Sequence, residues 1–353
     1  MIKLQRSTLD GLRQAEPSLP HVRAALQRAV ELEHATIPPY LYALYSLAPG
    51  RNGEIAKILK SVVVEEMLHM VLAANVLNAL GGRPAISKTD FIPTYPGPLP
   101  GGVEGQLEIH LRPFSREQLA AFIEIEEPRH PLDDLPKLDE GAVGDCTIGE
   151  FYKTIAQALG RLGEPAFAGS ARHQVGPDLV WGSVAVNDLA SARRALDTII
   201  EQGEGTGTSP VEIDGPSGQN DFAHYYRFME IWEGRRLVPD STVPHGYAFA
   251  GDLVAFDPAG VVGLPVDPTS ADYPAGSERA RLNDAFNDAY SQLLASIHRL
   301  TNGSADGSTF GESLGLMRSM ERTARAMVAH VVTSGEPVGP TFEFRAVVAA
   351  GPR

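Results

Sequence analysis

Gly53 to Leu80 is a predominantly apolar stretch with no internal glycine or proline, and it runs into Gly81-Gly82. Those signals predict one long helix, about 53–81, with a glycine stop. Its middle reads SVVVEEMLHMVLAANVL. Residues three apart on a helix point nearly the same way, so Glu66 and His69 share a stripe with Val62, Ala73 and Val76. Such a stripe faces a core, where an unpaired carboxylate is strongly unfavourable. An inward Glu-x-x-His becomes stable when a divalent cation lies beside it and takes both side chains as ligands. The chain must therefore fold so that further acids and imidazoles meet at this point.

Three other helical segments offer them. In 20–47, Leu26, Val30, Ile37, Leu41 and Leu44 recur at helical steps. Glu33 continues that series, whereas Glu31 falls beside Gln27 and Arg28 and is expected in solvent. Pro38 and Pro39 each remove a backbone donor and are expected to bend or interrupt the helix. His34 reads as a packing or surface residue. In 218–233, Asp221-x-x-His224 repeats the same spacing, and Phe228 and Ile231 extend its face. The competing reading of Asp221 is a helix cap or first-turn acid. In 188–204, Glu204 lies near the stripe of Leu196 and Ile200, and Glu201 lies further round beside Asp197. Gly203 and Gly205 could end that helix early and favour Glu201, so both acids stand as candidates.

Read together, the helices give Glu, Glu-x-x-His, Glu, Asp-x-x-His, the ligand pattern of a carboxylate-bridged two-metal site in a four-helix bundle. The candidate ligands are Glu33, Glu66, His69, Glu201 or Glu204, Asp221 and His224. Four carboxylates balance two divalent cations. An oxygen-rich set with two imidazoles suits iron, two ions per chain, or manganese, better than structural zinc. The expected fold is mainly α. A loop-rich insertion (82–187) interrupts the bundle and a helical extension (235–353) follows it. Within the insertion, 106–114 alternates as a strand would, while 115–125 and 148–162 read as helices, the second capped by Thr147. Two helices are expected near 278–300 and 311–332, covering one side of the bundle. A pocket is expected between them, the bundle and the insertion.

The segments ELEHATIPPYLYALYS (31–46), EEMLHMVLAANVLNALGG (65–82), TIGEFYKTI (147–155), IIEQGEGT (199–206), AHYYRFMEI (223–231) and GPTFE (339–343) resemble the ferritin-like family of the iminophenyl-pyruvate dimer synthase type, found in the violacein and rebeccamycin pathways. The likeness spans most of the chain and treats 1–353 as one ferritin-like unit. It implies a metal-binding bundle encoded among bacterial natural-product genes, with ligands at Glu33, Glu66, His69, Glu201 or Glu204, and His224. Position 221 departs from the pattern, which has an acid one methylene longer there.

The remaining features narrow the partners. Lys and Arg number 30 against 44 Asp and Glu, a formal charge of −14, which argues against nucleic acid and against an anionic membrane surface. No uninterrupted apolar run approaches the ~18 residues of a membrane span, and MIKLQRSTLDGLRQAEP has no secretory character. The single cysteine, Cys146, excludes a disulfide framework, fits a reducing cytoplasmic setting, and has no nearby histidine to make it a nucleophile. GEGTG (203–207) follows a helix and so lacks the context of a nucleotide loop. Glu108 and His110 read as a solvent-facing pair. His298 and His330 read as structural, and the tyrosines at 40, 42, 45, 225 and 226 as bundle core. The expected activity is an oxygen-activating non-haem di-iron, or iron/manganese, oxidoreductase. Its partners would be dioxygen, a small amino-acid-derived substrate, and a second copy of the chain or a pathway enzyme. The alternative is a non-catalytic ferritin-like metal-binding or accessory protein.

Overall fold

A computed structural model describes residues 6–100, 107–128, 147–167, 173–206, 209–211, 221–303 and 305–346. Cys146 lies outside them. A short α1 (Arg6–Arg13) precedes two long helices, α2 (Leu19–Ser46) and α3 (Gly53–Ala79). Ser18 caps α2 by accepting from the His21 N–H. This helix continues unbroken through Pro38-Pro39, against expectation. Pro39 has no N–H for the Ala35 carbonyl, and the Tyr95 hydroxyl takes that acceptor instead at 2.7 Å. A long-range donor thus offsets the cost of proline inside a helix. The end of α3 is as expected. Gly81 sits at φ 72°, and the amides of Gly81 and Gly82 bond Asn78 and Leu77 carbonyls, each at 2.9 Å.

Four shorter helices complete the bundle: α4 (Arg116–Glu126), α5 (Ile148–Leu162, capped by Thr147), α6 (Leu189–Glu204) and α7 (His224–Glu233). Packing pairs α2 with α3, α5 with α6, and α4 with α7. Both α6 and α7 touch α3, and α5 touches α2. Tyr40 of α2 meets Phe122 of α4 and Phe228 of α7 edge-on, at centroid distances of 4.5 and 5.4 Å. Two long helices therefore face two broken partners. The end of α4, the start of α5 and the end of α6 all border the space beside Glu66, and α7 opens with a histidine in the same cluster. The helix expected over 218–233 begins only at His224, leaving Asp221 ahead of it.

Residues 107–114 are extended but join no ladder beyond one bridge, Gly97 to Ile109. Their alternation reflects one-sided burial, with Ile109 and Leu111 inside and Glu108 exposed. The strands among the described residues are β1 (Val238–Pro239) and β2 (Tyr247–Ala248). Last, α8 (Glu278–Asn302) and α9 (Gly307–Ser334) form a hairpin that meets the bundle along α2–α9 and α3–α8. The tail then returns to the core, where Gly339 lies so close that an added Cβ would sit 2.2 Å from the Tyr42 hydroxyl. By length and hydropathy α3 would suffice to cross a membrane, yet 89% of its apolar window is buried inside the protein.

Candidate metal centre

Glu66 and His69 project from the middle of α3 and His224 from the first turn of α7, all buried, with ligand atoms within 4.8 Å of one another. Glu33 of α2 and Glu126, the last residue of α4, complete the cluster. Each of its three carboxylates has one oxygen held by a hydroxyl and the other turned to an imidazole. Tyr152 donates to Glu33 Oε1, and Glu33 Oε2 lies 3.3 Å from His69 Nδ1. Thr36 donates to Glu66 Oε2 at 2.9 Å, and Glu66 Oε1 lies 2.9 Å from His224 Nδ1. Tyr40 donates to Glu126 Oε1 at 2.6 Å, and Glu126 Oε2 lies 3.6 Å from the same Nδ1.

The two imidazoles are held alike from behind. His69 Nε2 bonds Gln202 Oε1 at 2.9 Å, and His224 Nε2 bonds Glu65 Oε2 at 2.9 Å. Their rings stack with centroids 5.3 Å apart. Acceptors behind the Nε2 atoms fix the ring orientation that turns each Nδ1 toward the carboxylates. Glu65 is itself neutralised by buried Arg227, which also bonds Ser61 at 2.9 Å.

Electrostatics express the crowding. Burial pushes the Glu66 carboxyl up to about 7, reinforced by the charge of Glu126 and opposed by the adjacent His224 imidazole. Burial also disfavours the charged forms of His69 and His224. Glu33 outweighs it for the first, and Glu126, Glu65 and Glu66 for the second, so both stand above the ordinary value. For Glu65 burial pushes upward, but Arg227 and His224 outweigh it and hold the carboxyl at about 2. Tyr40 and Tyr152 are held far above their usual range by burial and the adjacent carboxylates, so both phenols remain donors.

Does the donor set fit a metal? His224 Nδ1 has no hydrogen-bond partner although two carboxylate oxygens face it. A void of about 20 Å³ opens between Glu33, Thr36, Glu66, His69 and Glu126. That is enough for one ion or water. A buried nitrogen left unbonded among carboxylates is the arrangement a shared cation satisfies, and the oxygen-plus-imidazole set suits iron or manganese.

Of the residues expected from sequence, Glu33, Glu66, His69 and His224 come together. Asp221 does not: its side chain is 42% exposed, bonds the adjacent Phe222 N–H at 2.9 Å, and lies 4.0 Å from Arg227. Nor does it fill the competing role of cap or first-turn acid, since Ala223 is the N-cap of α7 and the first turn holds no acid. Because α6 continues through Gly203, Glu204 turns inward and Glu201 stays half-buried. Glu204 nevertheless accepts from the Gly149 N–H at 2.7 Å and sits on the N-terminus of α5. Glu31 is buried rather than solvated, bonded to Gln27 and Arg28. His34 is packed, bonding Tyr290 at 2.7 Å. His110 pairs with Asp267 at 2.6 Å, so Glu108 is not its main partner. Glu126 escaped the sequence reading by one residue. Leu119, Phe122 and Glu126 form a single stripe, but the helix was expected to end at 125. Nothing in local spacing points to Glu65–Arg227, Gln202 or Tyr152 as supports, since those contacts span distant helices.

A family model described as Ferritin-like matches residues 26–233. Among curated proteins, the chain is 26% identical over 377 residues to a dichlorochromopyrrolate synthase from Lentzea aerocolonigenes, covering 91% of this chain and 35% of that protein. It is 28% identical over 251 residues to a 2-imino-3-(indol-3-yl)propanoate dimerase from Chromobacterium violaceum, covering 59% of this chain and 22% of the dimerase. The chain thus spans little more than a third of the first curated relative and less than a quarter of the second. A ferritin-like protein from Caulobacter vibrioides shares the fold, with TM-score 0.55 and 22% identity over 87% of this chain and 96% of that one.

Proposed function

Because the chain belongs to the ferritin-like family, we propose that it is a metal-dependent oxidoreductase of secondary metabolism working in the cytoplasm. Iron would be held by Glu33, Glu66, His69, Glu126 and His224, as two ions or with manganese replacing one. Dioxygen would be the oxidant and a small amino-acid-derived molecule the substrate. One relative is named for an imino acid bearing an indole, which supports that substrate class.

The observation carrying this reading is the shared pose of the three carboxylates, each tied by one oxygen to Tyr152, Thr36 or Tyr40 and offering the other to the imidazoles. Bound iron would supply the one-electron chemistry and oxygen activation that these side chains lack. The chain's own residues orient and insulate. Glu65 and Gln202 fix the imidazole orientations, Arg227 cancels the charge of Glu65, and the protonated phenols of Tyr40 and Tyr152 stay as donors. Burial excludes bulk water, which strengthens every charge interaction within the cluster. In the metal-free protein the raised His69 and His224 act as counter-ions to the carboxylates. Metal loading at neutral pH should therefore release protons.

The test is anaerobic loading with ferrous iron, followed by admission of oxygen in an electrode cell. Uptake of oxygen by loaded wild type, lost in Glu66→Ala, is the expected result. Failure to bind iron, or bound iron that consumes no oxygen, would leave the non-catalytic accessory reading in its place.

A further inference from the structure

A second concavity lies on an adjacent face of the same two helices. Its volume is about 630 Å³, and it opens between α2 and α3 on one side and the α8–α9 hairpin on the other. That size falls within the roughly 300–1,000 Å³ of small-molecule sites. It shares no lining residue with the void at the metal centre. Glu33, Glu66 and His69 face the metal, while their neighbours His34, Met67 and Met70 line this cavity. Consecutive helical residues point 100° apart, which sets the two sites on separate faces. None of its lining comes from the described residues of the 82–187 insertion, contrary to the pocket expected from sequence.

The interior is apolar and adaptable, with Leu41, Leu44, Leu293, Ile297 and the thioethers of Met67, Met70, Met317 and Met320. Unbranched methionines accommodate ligands of varied shape. At its buried end stand His34 and Tyr290. The His34 Nδ1 there has no hydrogen-bond partner among the described residues. The mouth has the opposite character. Arg51, Lys57, Lys60, Arg318 and Arg325 line it against the single acid Glu321. Arg51, Lys57 and Arg325 are paired with Asp257, Glu54 and Glu321. Lys60 and Arg318 are exposed and have no carboxylate partner among the described residues. Val64, 44% exposed, continues the apolar lining out to this rim. In a chain of net charge −14, an apolar chamber with five cations at its rim, two of them without a carboxylate partner among the described residues, is a local exception.

We propose that this cavity binds an amphipathic organic monoanion, its aromatic or alkyl body among the methionines and leucines and its carboxylate at Lys60 and Arg318. The site is distinct from the metal centre and does not depend on metal. The occupant is a small molecule, because the apolar chamber, of a volume that suits one, has a buried polar end while its cations are exposed at the rim.

The test is isothermal titration calorimetry on the full metal-free chain with indole-3-acetate, decanoate and the cationic tryptamine. At least one of the anions should bind with one-to-one stoichiometry, more weakly as salt rises, and tryptamine should not bind. The double variant K60E/R318E should weaken anion binding by about tenfold, as reversal of two exposed charge contacts implies. Ala56→Trp, which places bulk in the chamber from a half-buried position, should abolish it, with circular dichroism checking that each variant folds. The proposal is overturned if neither anion saturates, if tryptamine binds as well as the anions, or if binding survives both variants. It is equally overturned if sedimentation shows a second copy of the chain seated over the cavity and excluding the probes. Because iron is absent throughout, failure here leaves the proposed oxidoreductase untouched.

Discussion

Replacing Glu204 with glutamine should stabilise the protein at alkaline pH and leave metal binding intact. Glu204 is buried at the end of α6, and its carboxylate caps α5 through the Gly149 N–H at 2.7 Å. Burial pushes its carboxyl from 4.5 up to about 7, more than the Gly149 and Thr147 hydrogen bonds pull it down. The folded state therefore holds a proton more tightly than the unfolded state. The associated stability is fully present below about pH 4.5 and is lost as pH rises through about 7. Two and a half pH units at 1.36 kcal/mol each come to about 3 kcal/mol. Glutamine keeps an oxygen for Gly149 but adds an amide that needs an acceptor, worth roughly 1 kcal/mol. The net expected gain for E204Q in urea unfolding of the metal-free protein is about 2 kcal/mol at pH 8, shrinking toward pH 5. A pH-independent difference, or loss of bound metal in E204Q, would refute the assignment of Glu204 as a helix-capping acid.

Arg227→Met should cost roughly 3–5 kcal/mol, because it strands the buried carboxylate of Glu65. The double variant E65Q/R227M should recover much of that loss in the same denaturation assay, whereas equal losses in single and double variants would show that the ion pair is not the cause. Tyr95→Phe should cost about 1–3 kcal/mol, since it leaves the Ala35 carbonyl without the donor that Pro39 cannot supply. A neutral result would mean that water or a backbone shift replaces the hydroxyl. Glu126→Ala should reduce bound iron, measured by metal analysis after gel filtration, while Asp221→Ala should not.

The fold was legible where the signals are local. Gly81-Gly82 and the apolar run before it fix α3. Thr147 and Asp188 announce α5 and α6, whose capping boxes form. Acids on apolar stripes identified Glu33 and Glu66, and the Glu-x-x-His spacing led to His69. The same rule reaches Glu126 once α4 is carried one residue further, so its omission was a helix-boundary error. Asp221 misled for a related reason. Its three-residue spacing from His224 implies a shared face only if both lie on the helix, and α7 begins at His224. Glu204 is inward as its stripe suggests, but pattern cannot distinguish a buried acid that meets a metal from one that meets a helix N-terminus. Pro38-Pro39 looked disruptive because the compensating donor, Tyr95, lies far away in sequence. The Glu65–Arg227 pair and the cavity beside α8 and α9 arise from tertiary packing alone.

The central claim is that Glu33, Glu66, His69, Glu126 and His224 form one metal centre, and counting bound metal tests it most directly. Metal-free protein titrated anaerobically with ferrous iron should bind up to two equivalents. Glu126→Ala or His224→Ala should lower that number, and Asp221→Ala and Glu204→Gln should leave it unchanged. Wild type that binds no iron, or an Asp221→Ala variant that loses iron while Glu126→Ala keeps it, would contradict the account.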